Sequence, residues 1–185
     1  MQDQINSLIK ACKKENQVAQ MQVYDNYAQA MFTIACRYLS NEEDAKDAMQ
    51  EGFLKAFVNM DSYRPEATFG AWLKRIVVNT SIDALKSKKQ RLVELDDVHL
   101  KVVDTDNDDK WLADDTVSIQ DIKEAINQLS DKYKYVVMLY LIEGYDHQEI
   151  SEILKISEVA SRTQLYRGKL QLQKLLKQTQ NGTGY

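Results

Sequence analysis

The clearest helical pattern in the chain lies in residues 41–89, which read NEEDAKDAMQEGFLKAFVNMDSYRPEATFGAWLKRIVVNTSIDALKSKK. In the first half, small and apolar residues recur three and four positions apart, which predicts the buried face of an amphipathic helix. This face consists of Ala45, Ala48, Met49, Gly52, Phe53, Ala56, Phe57 and Met60. Ser40 and Glu43 have the spacing of a capping box, so the helix is predicted to start near Asn41.

The second half of the stretch predicts another amphipathic helix, with a polar stripe along it. Its inner face consists of Phe69, Trp72, Leu73, Ile76, Val77 and Thr80. Its polar stripe consists of Arg75, Asn79, Asp83 and Lys86. The stripe has two interpretations, an ordinary solvated face with an internal ion pair or a binding surface.

The two helices are joined by residues 61–68, DSYRPEAT, which contain the only proline of the chain. Pro65 disfavours helical geometry at Arg64, so a defined turn is predicted here. Tyr63 and Arg64 have the chemistry to stack on and pair with an extruded base. Tyr63 has an equally plain alternative, which is to cover the core.

The net charge of −4 first argues against a nucleic-acid partner, because phosphate contacts need clustered Lys and Arg. However, the segment from Glu94 to Asp115 holds nine acidic residues and two lysines, a local charge of −7, which leaves +3 on the rest of the chain. The basic residues also cluster, at Lys86, Lys88, Lys89 and Arg91 and again at Arg162, Arg167, Lys169, Lys174 and Lys177. One acidic segment therefore masks two basic regions.

Composition and motifs exclude several classes of protein. The chain has 185 residues and 44% apolar content, no run of about 18 apolar residues and no signal-peptide pattern, so a cytoplasmic protein without membrane insertion is expected. Cys12 and Cys36 are expected to be reduced packing residues, and His99 and His147 to be surface residues. No nucleotide-binding, catalytic or metal-binding motif is present, so neither enzymatic activity nor a metal, cofactor or small-molecule substrate is expected.

The chain is predicted to be all-α, with two small helical domains joined by an acidic linker. Two further helices, over residues 4–15 and 18–39, precede the stretch above and complete an N-terminal domain over residues 1–89. Residues 90–116 are rich in aspartate and have no sustained period, which is typical of a linker. Residues 117–185 form the C-terminal domain.

The C-terminal domain carries the pattern of a helix-turn-helix. A first helix is marked by Ile119, Ile122, Ile126 and Leu129, and a second is predicted between an N-cap at Ser130 and a left-handed cap at Gly144. Asp146 and Glu149 then form a capping box for a short helix, and Ser157 is the N-cap of the last helix. A short helix, a tight turn and a basic helix are typical of DNA-binding proteins whose second helix enters the major groove.

The last helix is predicted to place Leu165, Gly168, Leu172 and Leu175 inward. Four residues then share the outward face, which we call the outward stripe: Arg162, Thr163, Tyr166 and Arg167. Guanidinium groups suit guanine edges, and the hydroxyl and aromatic side chains suit phosphate, thymine methyl or sugar. The alternative is a solvated amphipathic helix, which would leave the preceding cap and turn unexplained.

Two segments resemble the conserved regions of bacterial sigma factors of the extracytoplasmic-function type. The resemblance to region 2 rests on Asp44, Asp47, Gln50, Glu51, Phe53, Phe57, Asp61-Ser62-Tyr63-Arg64, Phe69, Trp72-Leu73 and Asn79. Residues 145–173 resemble region 4. Two departures occur there: most relatives have Gly-Thr at Val159-Ala160 and an apolar residue at Ser161.

The resemblance implies a transcription initiation factor that binds core RNA polymerase and promoter DNA and promotes strand opening. It assigns contacts with the clamp helices of the largest polymerase subunit to Asp44, Asp47, Gln50, Glu51 and Phe53. It assigns the melted minus-10 element to Tyr63, Arg64, Asn79 and Asp83. It assigns the minus-35 element to the last helix, through Arg162, Thr163, Tyr166, Arg167 and the neighbouring Lys169. The polymerase flap and an anti-sigma factor are further implied partners, and the acidic linker is expected to thread through polymerase channels as a transcript mimic.

Two other functions fit parts of the sequence. A conventional helix-turn-helix regulator would use residues 1–89 for sensing or dimerisation, but it has no need for the acidic helix, loop and Trp-containing helix of residues 44–79. An all-helical adaptor or inhibitor would use the acidic linker as a DNA mimic, but it leaves the outward stripe unexplained.

Overall fold

A computed structural model describes residues 2–90 and 118–182. The chain divides into two compact units, 1–97 and 98–185. All regular elements in the described residues are helices, as the sequence predicts. The predicted linker lies outside the described residues except for Gln90, and so do His99 and the acidic run.

Within residues 2–90, unit 1 contains four α-helices: α1 (Gln2–Cys12), α2 (Gln17–Tyr38), α3 (Glu42–Val58) and α4 (Phe69–Gln90). A short 3-10 turn, Met60–Ser62, begins the connection between α3 and α4. Helices α2, α3 and α4 all pack on one another, and α1 packs on α2. The predicted helices over 4–15 and 18–39 correspond to α1 and α2.

Helix α3 begins one residue later than a cap at Ser40 would require. Asn41 is the N-cap, and its Oδ1 accepts hydrogen bonds from the backbone N–H groups of Glu43 at 2.8 Å and Asp44 at 3.2 Å. The prediction that Ser40 caps this helix was therefore wrong. Asn41 caps it instead, because its extended backbone points the side-chain oxygen at the free N–H groups.

The buried faces of α3 and α4 meet at close range. The predicted face of α3 is buried from Ala45 to Met60, apart from the half-buried Phe57. A Cβ at Gly52 would lie 2.8 Å from Cγ2 and 3.3 Å from Cα of Val77, so only glycine permits this approach. The buried side of α4 is wider than predicted and includes a group that the sequence pattern missed: Val78, Ser81 and Ile82. These residues are covered because α4 packs against both α2 and α3.

The two cysteines differ in environment. Both are free thiols, and Cys12 is buried, as expected of a packing residue, whereas Cys36 is exposed, so the prediction that Cys36 is a packing residue was wrong. Desolvation raises the pKa of both thiols, and the carboxylate of Glu42 adds to the rise at Cys36. Both thiols are consequently kept in the weakly reactive protonated form.

Unit 2 contains α5 (Ile119–Gln128), α6 (Asp131–Val137), α7 (His147–Leu154) and α8 (Glu158–Gly182). Helix α6 continues into a π-helical segment, Met138–Ile142. A capping box between Ser118 and Asp121 starts α5, and hydrogen bonds from Ser118 lower the pKa of the Asp121 carboxyl. Of the four residues that mark this helix in the sequence, Ile126 and Leu129 are buried, Ile122 is half-buried and Ile119, the first residue of α5, is 74% exposed.

The predicted helix-turn-helix is present. Asp146 Oδ1 accepts from the Glu149 N–H at 2.8 Å, and the Asp146 N–H donates to Glu149 Oε2 at 3.1 Å. Lys155 turns the chain with φ 58°, and Ser157 Oγ accepts from the Ala160 N–H at 3.1 Å to start α8. Ser130 and Gly144 also occupy their predicted places before α6 and after the π-helical segment, with φ 77° at Gly144.

Helix α8 packs closely on α6. A Cβ at Gly168 would lie 2.6 Å from Val137 Cγ2 and 3.3 Å from Tyr133 Cβ, so glycine at this position sets the separation of the two helices. Leu165 and Leu172 flank it on the buried face. This packing leaves the other side of α8 open.

Candidate functional surfaces

The first candidate surface is the exposed face of α3. Asp47, Gln50 and Glu51 are exposed. Asp44 is half-buried and forms an ion pair with Lys88 near the end of α4. Glu51 forms an ion pair with Lys55 at 2.7 Å. The four polar residues assigned to the polymerase therefore share one helix, and two of them already have cationic partners.

Phe53 does not belong to this surface. It is 1% exposed, and its ring centroid lies 4.8 Å from that of Tyr24 and 6.0 Å from that of Phe57. The assignment of Phe53 as a polymerase contact is therefore wrong. Its position on the three-and-four pattern already placed it on the inner face, where it supports α3 from behind.

Two apolar residues of α3 were missed by the sequence reasoning. Leu54 is 65% exposed and Val58 is 85% exposed. They follow Gln50 at intervals of four, so all three lie along one line of the helix surface. The available signal was that both fall outside the predicted inner face.

The loop between α3 and α4 is held together by its own polar groups. Tyr63 is 7% exposed, and its ring centroid lies 5.5 Å from those of both Phe69 and Trp72. Its hydroxyl donates to the Ala67 carbonyl at 3.0 Å. Tyr63 therefore covers the core, and its assignment to a melted base is contradicted by this conformation. Arg64 is exposed, although its guanidinium donates to the Asp61 carbonyl at 2.6 Å.

The polar stripe of α4 is only partly exposed. Asp83 is exposed, whereas Arg75, Asn79 and Lys86 are half-buried. Oδ1 of Asn79 is buried and accepts no hydrogen bond from the described residues. An unpaired buried acceptor costs roughly 1–3 kcal/mol, so this amide is a group for which a new donor would be favourable.

The outward stripe of α8 lies on the open side of that helix. Arg162 is exposed and donates to Glu158 Oε2 at 3.1 Å. Tyr166 and Arg167 are half-buried on the same side. Thr163 donates its hydroxyl proton to the Val159 carbonyl at 2.9 Å, which leaves its methyl group and the acceptor lone pairs of its oxygen for a ligand. The structure thus brings the four residues together on one face.

Lys169 and His147 form a separate arrangement. The Lys169 Nζ lies 5.5 Å from the centroid of the Tyr140 ring, which in turn stacks on His147 at 5.0 Å. His147 Nδ1 shares a hydrogen bond of 2.8 Å with Ser161 Oγ. His147 lies in the first turn of α7, as predicted, but it is half-buried rather than fully exposed because Ser161 of α8 and Tyr140 contact its ring. The isolated position of His147 in the sequence carried no signal of this contact.

Neither a membrane span nor a metal centre appears in residues 2–90 and 118–182. No helix there is long and apolar enough to cross a membrane. No group of three or more His, Cys, Asp and Glu side chains there is arranged to hold a metal ion.

Comparison with known proteins decides the family. The model of Sigma-70 region 2 matches residues 23–91, and the model of Sigma-70 region 4 matches residues 119–172. The chain is 32% identical to the ECF RNA polymerase sigma factor SigW of Bacillus subtilis, over 96% of this chain and 99% of the relative. The chain belongs to the ECF sigma factors.

Other comparisons agree with this family. The RNA polymerase sigma factor SigV of Bacillus subtilis is 30% identical, over 77% of this chain and 81% of that relative. Two solved structures share the fold: the sigma factor RpoE with the anti-sigma factor NepR from Bartonella quintana, and CnrH with the cytosolic domain of CnrY. Their TM-scores are 0.55 and 0.52 at 22% identity, over 85% and 92% of this chain and 96% and 95% of theirs.

This sigma factor therefore directs RNA polymerase to promoters, which confirms the function implied by the resemblance in sequence. The alternative of a conventional helix-turn-helix regulator is not favoured, because region 2 accounts for the N-terminal unit. Region 2 covers α3, the loop and α4, and region 4 covers α7 and the outward stripe.

Proposed function

We propose that this sigma factor divides promoter recognition between its two units, with α8 reading the minus-35 element in the major groove. The observation that supports this most directly is the outward stripe on the open side of α8, which follows a capped short helix and a tight turn in the chain. Arg162 and Arg167 supply forked donors for base edges, and Tyr166 adds an apolar and hydrogen-bonding contact. Lys169 contributes to phosphate binding rather than to base choice.

In this proposal, the exposed face of α3 binds the clamp helices of the polymerase. Asp47, Gln50 and Glu51 present carboxylate and amide oxygens to the partner, and Asp44 joins them if Lys88 releases it. Leu54 and Val58 extend the face with apolar area, which is what the centre of a stable interface requires. Phe53 is excluded from the contact by its burial.

The minus-10 element is assigned to α4 and the loop before it. Asn79 and Asp83 lie one turn apart on α4 and offer hydrogen-bonding groups for the edges of an extruded base, and Arg64 adds an exposed cation in the preceding loop. Asn79 is half-buried, so part of its side chain is accessible at the surface of α4. Tyr63 acts indirectly, by fixing the start of α4.

Three further features belong to the same proposal. The protein acts in the cytoplasm, and its mechanism is binding without catalysis of its own. An anti-sigma factor controls it, an expectation that the solved complex of RpoE with the anti-sigma factor NepR supports. The polymerase flap is the partner of unit 2, and the acidic linker passes through channels that the transcript later occupies.

The test compares promoter opening by Asn79→Ala and by Ser87→Ala, an exposed control on the same helix. Holoenzyme is assembled with core polymerase of Bacillus subtilis on a promoter that the parent holoenzyme selects from a random library. Permanganate reactivity of unpaired thymines reports opening. Asn79→Ala is expected to reduce opening of duplex DNA and to recover on a pre-melted bubble, whereas unchanged opening of duplex DNA would remove Asn79 from the mechanism.

A further inference from the structure

Ser161 is a polar residue in the buried face of α8. It is 0% exposed, and its hydroxyl is hydrogen-bonded to His147 Nδ1 at 2.8 Å. A buried hydroxyl without a partner is costly, so this bond is a specific contact rather than an incidental one. It joins the first turn of α7 to the first turn of α8, which are the two helices of the helix-turn-helix.

The imidazole ring of His147 also stacks on Tyr140. The two rings stack with centroids 5.0 Å apart and an angle of 26°. Tyr140 belongs to the π-helical segment Met138–Ile142, a type of distortion that is frequent at functional sites. Lys169 Nζ lies 5.5 Å from the centre of the same ring. We call Ser161, His147, Tyr140 and Lys169 the His147 cluster.

Two members of the cluster, Ser161 and Lys169, belong to α8, where Ser161 contacts His147 and Lys169 contacts Tyr140. These residues are eight positions apart, which corresponds to about 12 Å along a helix. The first contact joins α8 to α7 and the second joins it to the π-helical segment, so together they restrict the tilt and the rotation of α8. Arg162 directly follows Ser161, so the first of these contacts lies at the beginning of the outward stripe.

We propose that His147 is a positioning residue for DNA recognition, which holds α8 through Ser161 and Tyr140 in the orientation that lets the outward stripe read bases. The inference rests on the proposed function of α8. It goes beyond that function by placing sequence discrimination partly in a residue that contacts no base. Orientation matters because a binding constellation loses selectivity when its supporting contacts allow shifts of about 1 Å.

The charges around the ring make the arrangement sensitive to acid. Desolvation lowers the pKa of His147, and the nearby cations Arg162 and Lys169 lower it further, while Asp146 and Glu158 oppose them. The unfolded chain therefore binds the proton more readily than the folded one. The stabilising effect of the neutral ring is present above its ordinary pKa of about 6.5 and is lost as the pH falls below it.

The experiment measures discrimination, defined as the affinity of holoenzyme for a selected promoter duplex divided by its affinity for a duplex with a scrambled minus-35 element. The full-length protein is used with core polymerase of Bacillus subtilis. Ser161→Ala removes the hydroxyl, His147→Phe keeps the ring stack, and the double variant completes the cycle. His147→Asn returns a hydrogen-bonding atom near the Nδ1 position without a titratable ring.

Each single variant is expected to reduce discrimination about 3- to 10-fold, the range of one net hydrogen bond. The double variant should be no worse than the single variants, because both remove the same contact. Lowering the pH from about 7.5 to about 5.5 should reduce discrimination by the parent, since it spans the ordinary pKa of histidine. His147→Asn should retain more discrimination than His147→Phe and show no such pH dependence.

The outcomes separate this inference from the function on which it rests. If the parent discriminates and both Ser161→Ala and His147→Phe discriminate equally well, the inference is wrong and the function stands. Equal losses of affinity on both duplexes would likewise contradict a positioning role. A parent holoenzyme that prefers no duplex would overturn the proposed function of α8, and the inference with it. Circular dichroism of each variant identifies loss of fold, and Ser161→Ala keeps the test valid if His147→Phe does not fold.

Discussion

Asp47 and Glu51 lie one turn apart on the exposed face of α3, and their side chains can be changed without disturbing the core. We expect Asp47→Lys with Glu51→Lys to weaken binding to core polymerase at least about 10-fold, because like charges facing each other across an interface cost several kcal/mol. Helicity should not change. Affinity is measured with fluorescently labelled protein titrated with core polymerase.

The control for this charge reversal is Asp25→Lys with Glu66→Lys. Both residues are exposed in unit 1 and lie outside α3, so the total change in charge is the same. If the control pair weakens binding as much as the α3 pair, the effect is one of overall charge and the assignment of the α3 face fails.

Arg162 and Arg167 belong to the outward stripe, where a contact with a base and a contact with phosphate predict different results. Arg162→Ala or Arg167→Ala should cost about 1–3 kcal/mol on the selected minus-35 element and relax the preference at one base pair. The ion pair of Arg162 with Glu158 is exposed and worth about 1 kcal/mol or less, so it does not hold the guanidinium back.

Binding to a library of single-base variants of the minus-35 element measures this effect, with Lys123→Ala as a control that removes one exposed charge from unit 2. A loss that is uniform over all sequences would make the arginine a phosphate contact. No loss at all would indicate that the outward stripe is an ordinary solvated helix face.

Helix α3 depends on its N-terminal cap, so substitutions of two neighbouring residues are expected to differ in their effect on stability. Asn41→Ala should reduce the free energy of unfolding of unit 1 by about 1 kcal/mol, because the Glu43 and Asp44 N–H groups lose their acceptor. Ser40→Ala should have little effect. Urea denaturation followed by circular dichroism measures both, and a larger loss at Ser40 would restore the capping box predicted from the sequence.

The separation of α3 and α4 depends on Gly52. We expect Gly52→Ala to reduce the free energy of unfolding by about 1–3 kcal/mol, because the new Cβ would press on the backbone as well as the side chain of Val77. Gly70→Ala is the matched control, since a Cβ there would meet only the Tyr27 ring edge at 3.2 Å. Equal effects of the two substitutions in urea denaturation would show that close helix packing is not the cause.

At the scale of the whole molecule, the helices were predictable because their periodicity and caps are local properties of the sequence. The capping box at Asp146, the left-handed Gly144 and the N-cap at Ser157 all occupy their predicted places. The assignments that failed depend on tertiary packing. Phe53 and Tyr63 share a family motif with surface residues, and only the ring contacts in the folded unit show that they are buried.

The same distinction explains what was missed at the candidate sites. Ser161 and His147 are fourteen residues apart, so no periodicity links them, and their bond exists only because α7 and α8 pack together. Val78 and Ile82 lie outside the single inner face predicted for α4, and they are buried because two helices cover it. Sequence patterns identify faces of helices, whereas the number of neighbours that cover a helix is set by the whole unit.

Run-off transcription shows whether this chain directs core polymerase to a promoter through α3 and α8. Core polymerase of Bacillus subtilis is incubated with the selected promoter, with and without the protein, and with the Asp47→Lys, Glu51→Lys variant. We predict a transcript from one start site only when the unaltered protein is present. Equal transcription by core polymerase alone, or by the double variant, would contradict the account.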